Sequence, residues 1–262
     1  MFYELYSMIK NQIIIITGGS GLLGSVFAKN IAKHGGLSII ADINYEAALK
    51  VSNDIHAEYP GSAEAIKIDI TDKNSVLNLI DEVKKKFGRI DAIINNAYPR
   101  NSNYGCKFEE VTYSDFCENI NLHLGGYFLV AQQFGIFFRS QGWGNIINIS
   151  SIYGVIAPRF KIYKKTSMTV PVEYACIKSS IIHLTHYLAQ YYKGNNIRIN
   201  CLSPGGILNN QPGSFTEAYN GYCNKKGMLL PEDIVGALLF LLSNSSEYIT
   251  GQNIIVDDGF SL

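Results

Sequence analysis

The chain has 262 residues, 47% hydrophobic and 17% charged, which supplies a large buried core and excludes a compositionally disordered protein. Lys and Arg number 22 and Asp and Glu number 22, so the formal net charge is zero, whereas a general nucleic-acid binder carries a basic surplus. No apolar run approaches the ~20 residues of a membrane-spanning helix.

The opening MFYELYSMIK lacks the basic-then-apolar form of a secretory signal. Cysteines 106, 117, 176, 201 and 223 contain no CxxC pair and read as reduced thiols of a cytosolic protein. Along the chain, strand and helix signals alternate. Gln12–Thr17 is a β-branched strand, followed by a glycine-rich turn and a helix over Leu22–Lys33. Leu37–Asp42 predicts a strand, Tyr45–Glu58 a helix, Ala63–Ile68 a strand, Lys73–Phe87 a helix and Ile90–Asn95 a strand. One long helix is predicted over Tyr113–Ser140, then a strand over Asn145–Ser150, a helix over Val172–Tyr192 and a strand over Ile197–Leu202. Pro231–Leu242 predicts a helix and Asn253–Asp257 a last strand. This order implies βαβ units in an α/β fold: one doubly wound, Rossmann-like parallel sheet of about seven strands, helices on both faces. With no repeat and no linker, residues 1–262 read as one domain. Two long segments break the rhythm, an insertion at Pro158–Pro171 and a loop at Asn209–Leu230. Each is either a ligand-binding loop at the rim of the sheet or a tolerated surface insertion.

The first strand runs into Thr17-Gly18-Gly19-Ser20-Gly21-Leu22-Leu23-Gly24. Glycines let a backbone approach a phosphate, and the next helix presents unpaired N–H groups to it. Asp42 ends the second strand, where an acid accepts hydrogen bonds from an adenosine ribose and repels a 2′-phosphate, favouring NAD over NADP; alternatively it caps a helix or turn. Asp69, Ile70 and Asn95-Asn96-Ala97 follow later strands on the same rim, within reach of one extended ligand; taken alone, Asp69 or Asn95 is equally a turn former. Tyr174 and Lys178 lie four apart on a predicted helix and so share a face. A free phenol has a pKa of about 10, and an adjacent ammonium lowers it, which makes the pair a general acid/base for alcohol–ketone interconversion. The alternative is a solvated helix face.

These motifs stand in one order with Asn121, Asn148-Ile149-Ser150-Ser151, Ser203-Pro204-Gly205 and the terminal Thr250-Gly251-Gln252…Asp257-Asp258-Gly259. Together, over about residues 11–260, they resemble the short-chain dehydrogenase/reductase family. The resemblance implies that Tyr174 is the acid/base and that Lys178 holds the nicotinamide ribose and tunes Tyr174. It implies that Ser151 bonds the substrate oxygen and that Asn121 holds a relay water. It assigns the cofactor to Gly18, Ser20, Gly21, Leu22, Leu23, Gly24, Asp42, Asp69, Ile70, Asn95 and Ala97, and to Pro204, Gly205 and Ile207 at the nicotinamide. The sequence departs from the family's pattern at four places. Its glycine spacing is that of the longer members, Tyr98 replaces a glycine, Asn209 replaces a threonine, and Ser151 stands 23 residues before Tyr174.

Substrate signals are thinner. The insertion carries Arg159, Lys161, Lys164 and Lys165, and Tyr98 and Arg100 follow the fourth strand. The cations form either an anion-attracting rim or a solvated loop. The segments Asn95–Arg100, Ser151–Val155 and Met168–Tyr174 resemble the oxidoreductases of flagellin modification and legionaminic-type sugar synthesis. That implies NAD-dependent oxidation of a hydroxyl on a sugar phosphate or nucleotide-sugar, giving a ketone for a partner aminotransferase. The alternatives are a keto- or acyl-carbonyl reductase of the same family and a non-catalytic dinucleotide-binding regulator. His183 and His186 have no third ligand in the sequence, so no metal site is expected. The family's oligomers make a homodimer or homotetramer the expected assembly, with no nucleic-acid or membrane partner.

Overall fold

The computed structural model describes residues 8–164 and 166–262. The stretch 1–7 of the opening segment and Lys165 of the insertion lie outside the described residues. Seven strands form one all-parallel sheet: β1 (Ile13–Thr17), β2 (Leu37–Asp42), β3 (Ala63–Lys67), β4 (Ala92–Asn95), β5 (Gly144–Ile149), β6 (Ile197–Pro204) and β7 (Asn253–Val256). Their order is β3-β2-β1-β4-β5-β6-β7, so the winding reverses between β1 and β4. This is the doubly wound, Rossmann-like sheet read from the sequence, and its reversal opens a crevice at the carboxyl ends of β1 and β4.

The isoleucine run of β1 shows why the sheet is covered on both faces. Alternate residues of a strand point to opposite faces. Ile13 and Ile15 pack into a core with Val76, Leu79, Phe134, Phe138 and Ile181. These come from α3 (Lys73–Phe87), α5 (Gly126–Gln141) and α6 (Val172–Tyr191). Ile14 and Ile16 join Phe27, Ile31, Leu238 and Leu241 on the other face, from α1 (Leu22–Lys33) and α8 (Val235–Leu242). α2 (Tyr45–Glu58) joins β2 to β3, with Asn44 capping its first turn at Ala47 N–H, 3.1 Å.

Packing is tight where α5 meets β5. A methyl on Gly144 would overlap the Phe138 ring, itself fully buried. Gly144→Ala is therefore expected to cost about 1–3 kcal/mol of stability. Chemical denaturation checks this, and an unchanged midpoint would show that the ring has room to move aside.

The single helix predicted over Tyr113–Ser140 is interrupted. α4 (Tyr113–Asn119) passes through a wider π-type turn, Ile120–Gly125, before α5 begins. Both long segments acquire structure. Phe160–Tyr163 is a short 3₁₀ turn within the insertion, and α7 (Gly213–Asn220) lies within the second segment.

Candidate active site

The crevice at the sheet reversal is a cleft of about 840 Å³. Gly18, at φ +62°, turns the chain out of β1, and a side chain there would meet the Ala97 backbone at 2.7 Å. A methyl on Gly24 would overlap the Gly18 carbonyl, so Gly24 sets how closely α1 docks on the turn. The Gly21 cap of α1 makes no side-chain hydrogen bond, and the first turn of the helix carries no acid. The helix thus offers its N–H groups and dipole to the cleft, where Gly18, Ser20, Gly21, Leu22 and Leu23 all line the wall. At one end Asp42 accepts from Ser20 N–H at 3.1 Å and Ser20 Oγ at 2.6 Å, and its other oxygen accepts from Asn44 N–H at 3.0 Å. Asp69 and Ile70 line the neighbouring wall.

The rim between β1 and β4 is pinned by Asn96. Its side chain donates to Thr17 O (3.0 Å) and Gly18 O (3.1 Å), and Thr17 Oγ1 accepts from the Asn96 and Ala97 N–H groups. Asn96 and Ala97 line the cleft, but Asn95 does not. Asn95 is fully buried and donates to Tyr127 O and Asn148 Oδ1. As the last residue of β4 it alternates away from the rim and ties the strand to its neighbours instead.

Tyr174 and Lys178 project from α6 into the same cleft. Lys178 is 4% exposed, and its Nζ donates to Ile149 O at 2.9 Å. The Tyr98, Tyr127 and Tyr174 rings surround the amine with centroids at 5.8, 5.5 and 5.6 Å. Tyr98 packs edge-on against Tyr174, centroids 5.8 Å apart, and the Arg100 guanidinium lies 5.2 Å from the Tyr98 ring. The segment carrying Tyr98 is anchored by Asn101, whose N–H donates to Asn119 Oδ1 at 3.0 Å while Asn119 in turn donates to the buried Glu173. Ser151 caps the turn after β5, where its hydroxyl accepts from Tyr153 N–H at 3.2 Å, and it lines the same cavity as Tyr174.

Burial dominates the electrostatics of this pair. Desolvation lowers the Lys178 ammonium from 10.5 to about 7. Desolvation also raises the Tyr174 phenol above its ordinary value, against the opposing effect of the neighbouring Ser151 hydroxyl. The same walls thus act on both members of the pair, disfavouring the phenolate of Tyr174 and the ammonium of Lys178.

Beyond Tyr174 the cleft meets a second cavity of about 270 Å³. Ser151, Tyr174, Pro204, Gly205 and Ile207 line one side of it, and Tyr153, Tyr163, Met168, Gln211, Phe215 and Tyr219 are among the residues that line the remainder. Tyr163 and Met168 come from the insertion, and the Tyr163 and Tyr153 hydroxyls are 2.9 Å apart. The insertion thus supplies an aromatic wall. Its described cations stay out: Arg159 donates to Phe260 O (3.1 Å) and Leu262 O (2.9 Å) and stacks on Tyr222, while Lys161 and Lys164 are exposed and line neither cavity. Arg159 is committed to the chain's last residues, so Arg159 and Lys161 do not form the expected substrate rim. Arg100 and Tyr98 do line the cleft.

Comparison with known proteins decides the family. The sequence profile described as Enoyl-(Acyl carrier protein) reductase matches residues 20–261. The chain belongs to the short-chain dehydrogenase/reductase family. This dehydrogenase/reductase is 42% identical over 256 residues to "Post-translational flagellin modification protein A" of Campylobacter coli, covering 97% of this chain and all of that one. It is 30% identical over 258 residues to the "7alpha-hydroxysteroid dehydrogenase" of Bacteroides fragilis, covering 97% and 95% of the two chains. Among solved structures, a short-chain dehydrogenase of Leptospira borgpetersenii with bound NAD+ superposes with a TM-score of 0.84 at 32% identity, covering 97% and 94%. The protein is accordingly an oxidoreductase that works with a nicotinamide dinucleotide.

One expected member of the dehydrogenase/reductase site is displaced. Asn121 is exposed and lines an apolar groove with Phe116, Phe128, His183 and Tyr187, on the outer side of the helices. His123 lies beside Lys178 in its place, Nε2 to Nζ 3.4 Å. A signal for this was present. It lies in the spacing to Tyr127, an aromatic four residues after His123, whose buried ring packs against the imidazole with centroids 5.2 Å apart across the π-type turn. His123 is the site residue that the sequence reading does not name, and Asn96, read there only as part of Asn95-Asn96-Ala97, takes the place at the cleft given to Asn95.

Proposed function

We propose that this oxidoreductase uses NAD to oxidise a secondary hydroxyl of an anionic sugar, a sugar phosphate or nucleotide-linked sugar, to a ketone. The observation that carries the reading is the meeting of the two cavities at Tyr174 and Ser151. One cavity has the shape and glycine cradle for a dinucleotide, and the other is walled by rings, hydroxyls and an amide. Rings stack on the apolar faces of a sugar while Gln211 and the tyrosine hydroxyls meet its polar edge. Arg100 supplies a guanidinium for the anionic group. The 42% identity to a protein named for flagellin modification supports a sugar-modifying role over the steroid chemistry named for the second relative.

In this reading Gly18, Ser20, Gly21, Leu22, Leu23 and Gly24 hold the pyrophosphate, Asp42 the adenosine ribose, and Asp69, Ile70 and Ala97 the adenine side. Lys178 holds the second ribose, with Pro204, Gly205 and Ile207 at the nicotinamide. The bound nicotinamide supplies the hydride acceptor. Ser151 and Tyr174 hydrogen-bond the substrate oxygen, and Tyr174 takes its proton as the carbinol is oxidised. The product ketone is an electrophile of the kind an aminotransferase consumes. All five cysteines are free thiols, which suits the reducing cytoplasm. The exposed Phe128 and Tyr187 at the groove of α4, α5 and α6 suit a homodimer or homotetramer.

The test is dinucleotide reduction with a panel of sugar phosphates, nucleotide-sugars, neutral polyols and steroids, each with NAD and with NADP. Turnover of phosphorylated sugars with NAD is expected. Arg100→Gln is expected to raise KM for those substrates by about tenfold, with kcat little changed. Turnover confined to steroids or acyl thioesters would refute the substrate class.

A further inference from the structure

His123 is 1% exposed and sits on the π-type turn between α4 and α5, a distortion often found at functional sites. Its Nδ1 is buried with no hydrogen-bond partner among the described residues. Its Nε2 faces Lys178 Nζ at 3.4 Å. Several groups face the pair. Tyr98, from the segment after β4, and Tyr127 of α5 lie with ring centroids 5.0 and 5.2 Å from His123, and Tyr174 of α6 and Cys201 of β6 also pack here. Burial raises the Tyr98, Tyr127 and Tyr174 phenols and lifts the Cys201 thiol to about 11, so all four are neutral near pH 7. Burial keeps the imidazole neutral too, with the Lys178 charge acting in the same direction.

Lys178 therefore has two polar partners of unlike ability. The Ile149 carbonyl accepts a hydrogen bond but cannot carry a proton away. The imidazole can do both, because it has a second nitrogen through which to pass a proton on. We propose that His123 is the proton acceptor for Lys178, a positioning and relay residue for the reaction; this rests on the reading of Tyr174 and Lys178 above. The Nζ–H bond breaks as an Nε2–H bond forms, giving a neutral amine and an imidazolium. The Nδ1–H bond then breaks, a water molecule takes that proton, and a neutral ring remains. One proton crosses the ring and no electrons change hands.

The test joins nuclear magnetic resonance of the cofactor-free protein to steady-state kinetics. In the parent protein, the ring ¹⁵N shifts of His123 should report a neutral ring protonated at Nδ1 while Lys178 is charged. They should change as the ¹³Cε signal of Lys178, assigned by its loss in Lys178→Met, titrates near neutrality. His123→Phe keeps a ring in the space but offers no acceptor. It should lower the Lys178 midpoint and reduce kcat by about tenfold or more with dinucleotide affinity retained. His123→Gln restores an acceptor but not a proton carrier, so it should recover the Lys178 midpoint and leave kcat low.

A ring protonated at Nε2 and indifferent to the Lys178 titration would overturn the proposal, and this reading needs no variant of His123 to fold. So would full kcat in His123→Phe or in His123→Gln. If the parent oxidises no alcohol on the panel, the proposed function fails, while the resonance data still decide whether His123 receives a proton from Lys178.

Discussion

Tyr174→Phe is expected to reduce kcat by about 10²–10⁴-fold while dinucleotide affinity stays at the parent level. The substitution removes one oxygen and keeps the ring that packs against Tyr98. It leaves Lys178 with its bond to Ile149 O, so the fold and the floor of the cleft remain. What is lost is the phenol that stands where the two cavities meet, on the wall it shares with Ser151. The sign of the pH dependence follows from the raised phenol. Oxidation of an alcohol needs a proton acceptor, and burial favours the protonated form, so kcat for oxidation should climb as pH rises through neutrality. Reduction needs the protonated form and should fall over the same range. Below about 7 the Lys178 cation assists a phenolate, and above it that assistance fades, which flattens the climb. The Phe variant should show neither trend. Full turnover in this variant, measured beside an unchanged dinucleotide affinity, would remove Tyr174 from the acid/base role.

What was legible in the sequence was local. The isoleucine run of β1, the glycines after it and the four-residue spacing of Tyr174 and Lys178 each specify a geometry within a few residues. The sheet order then carries those geometries to one rim. Asn95 and Asn96 show the limit: adjacent residues at the end of a strand point opposite ways, and only the strand's register decides which one reaches the cleft. At His123 the motif points to an asparagine two residues away, and the π-type turn decides which of the two side chains faces Lys178. Arg159 was misplaced for a different reason. Its partners are the carbonyls of Phe260 and Leu262, about a hundred residues later, and no local pattern announces such a clasp. For Tyr174, spacing reveals a neighbouring charge but not the burial that acts on both groups.

Asp42→Asn is expected to narrow the preference for NAD over NADP by about 10²-fold, or ~2.7 kcal/mol. The parent carboxylate has roughly four acceptor positions, and three are used: Ser20 N–H and Ser20 Oγ on one oxygen and Asn44 N–H on the other. One acceptor position therefore remains on the oxygen facing Asn44, and exchange of the Ser20 hydroxyl frees a second, enough for the two hydroxyls of a ribose. Each such bond to a charged acceptor is worth about 1.5–3 kcal/mol. An asparagine amide has one carbonyl oxygen and an NH₂ group, so it cannot serve both Ser20 and Asn44 and still accept from a ribose. NAD binding should weaken for that reason. NADP should gain from the removal of a negative charge beside its 2′-phosphate, but only partly. Arg100 and Lys178 are the cations lining the cleft, and Lys178 lies at the Tyr174 end among three aromatic rings. The variant should thus become less selective rather than reversed. Calorimetric titration of both dinucleotides into the parent and the variant measures the two affinities separately. A parent that binds NADP as well as NAD, or a variant whose ratio does not move, would show that Asp42 serves only to fold the glycine turn.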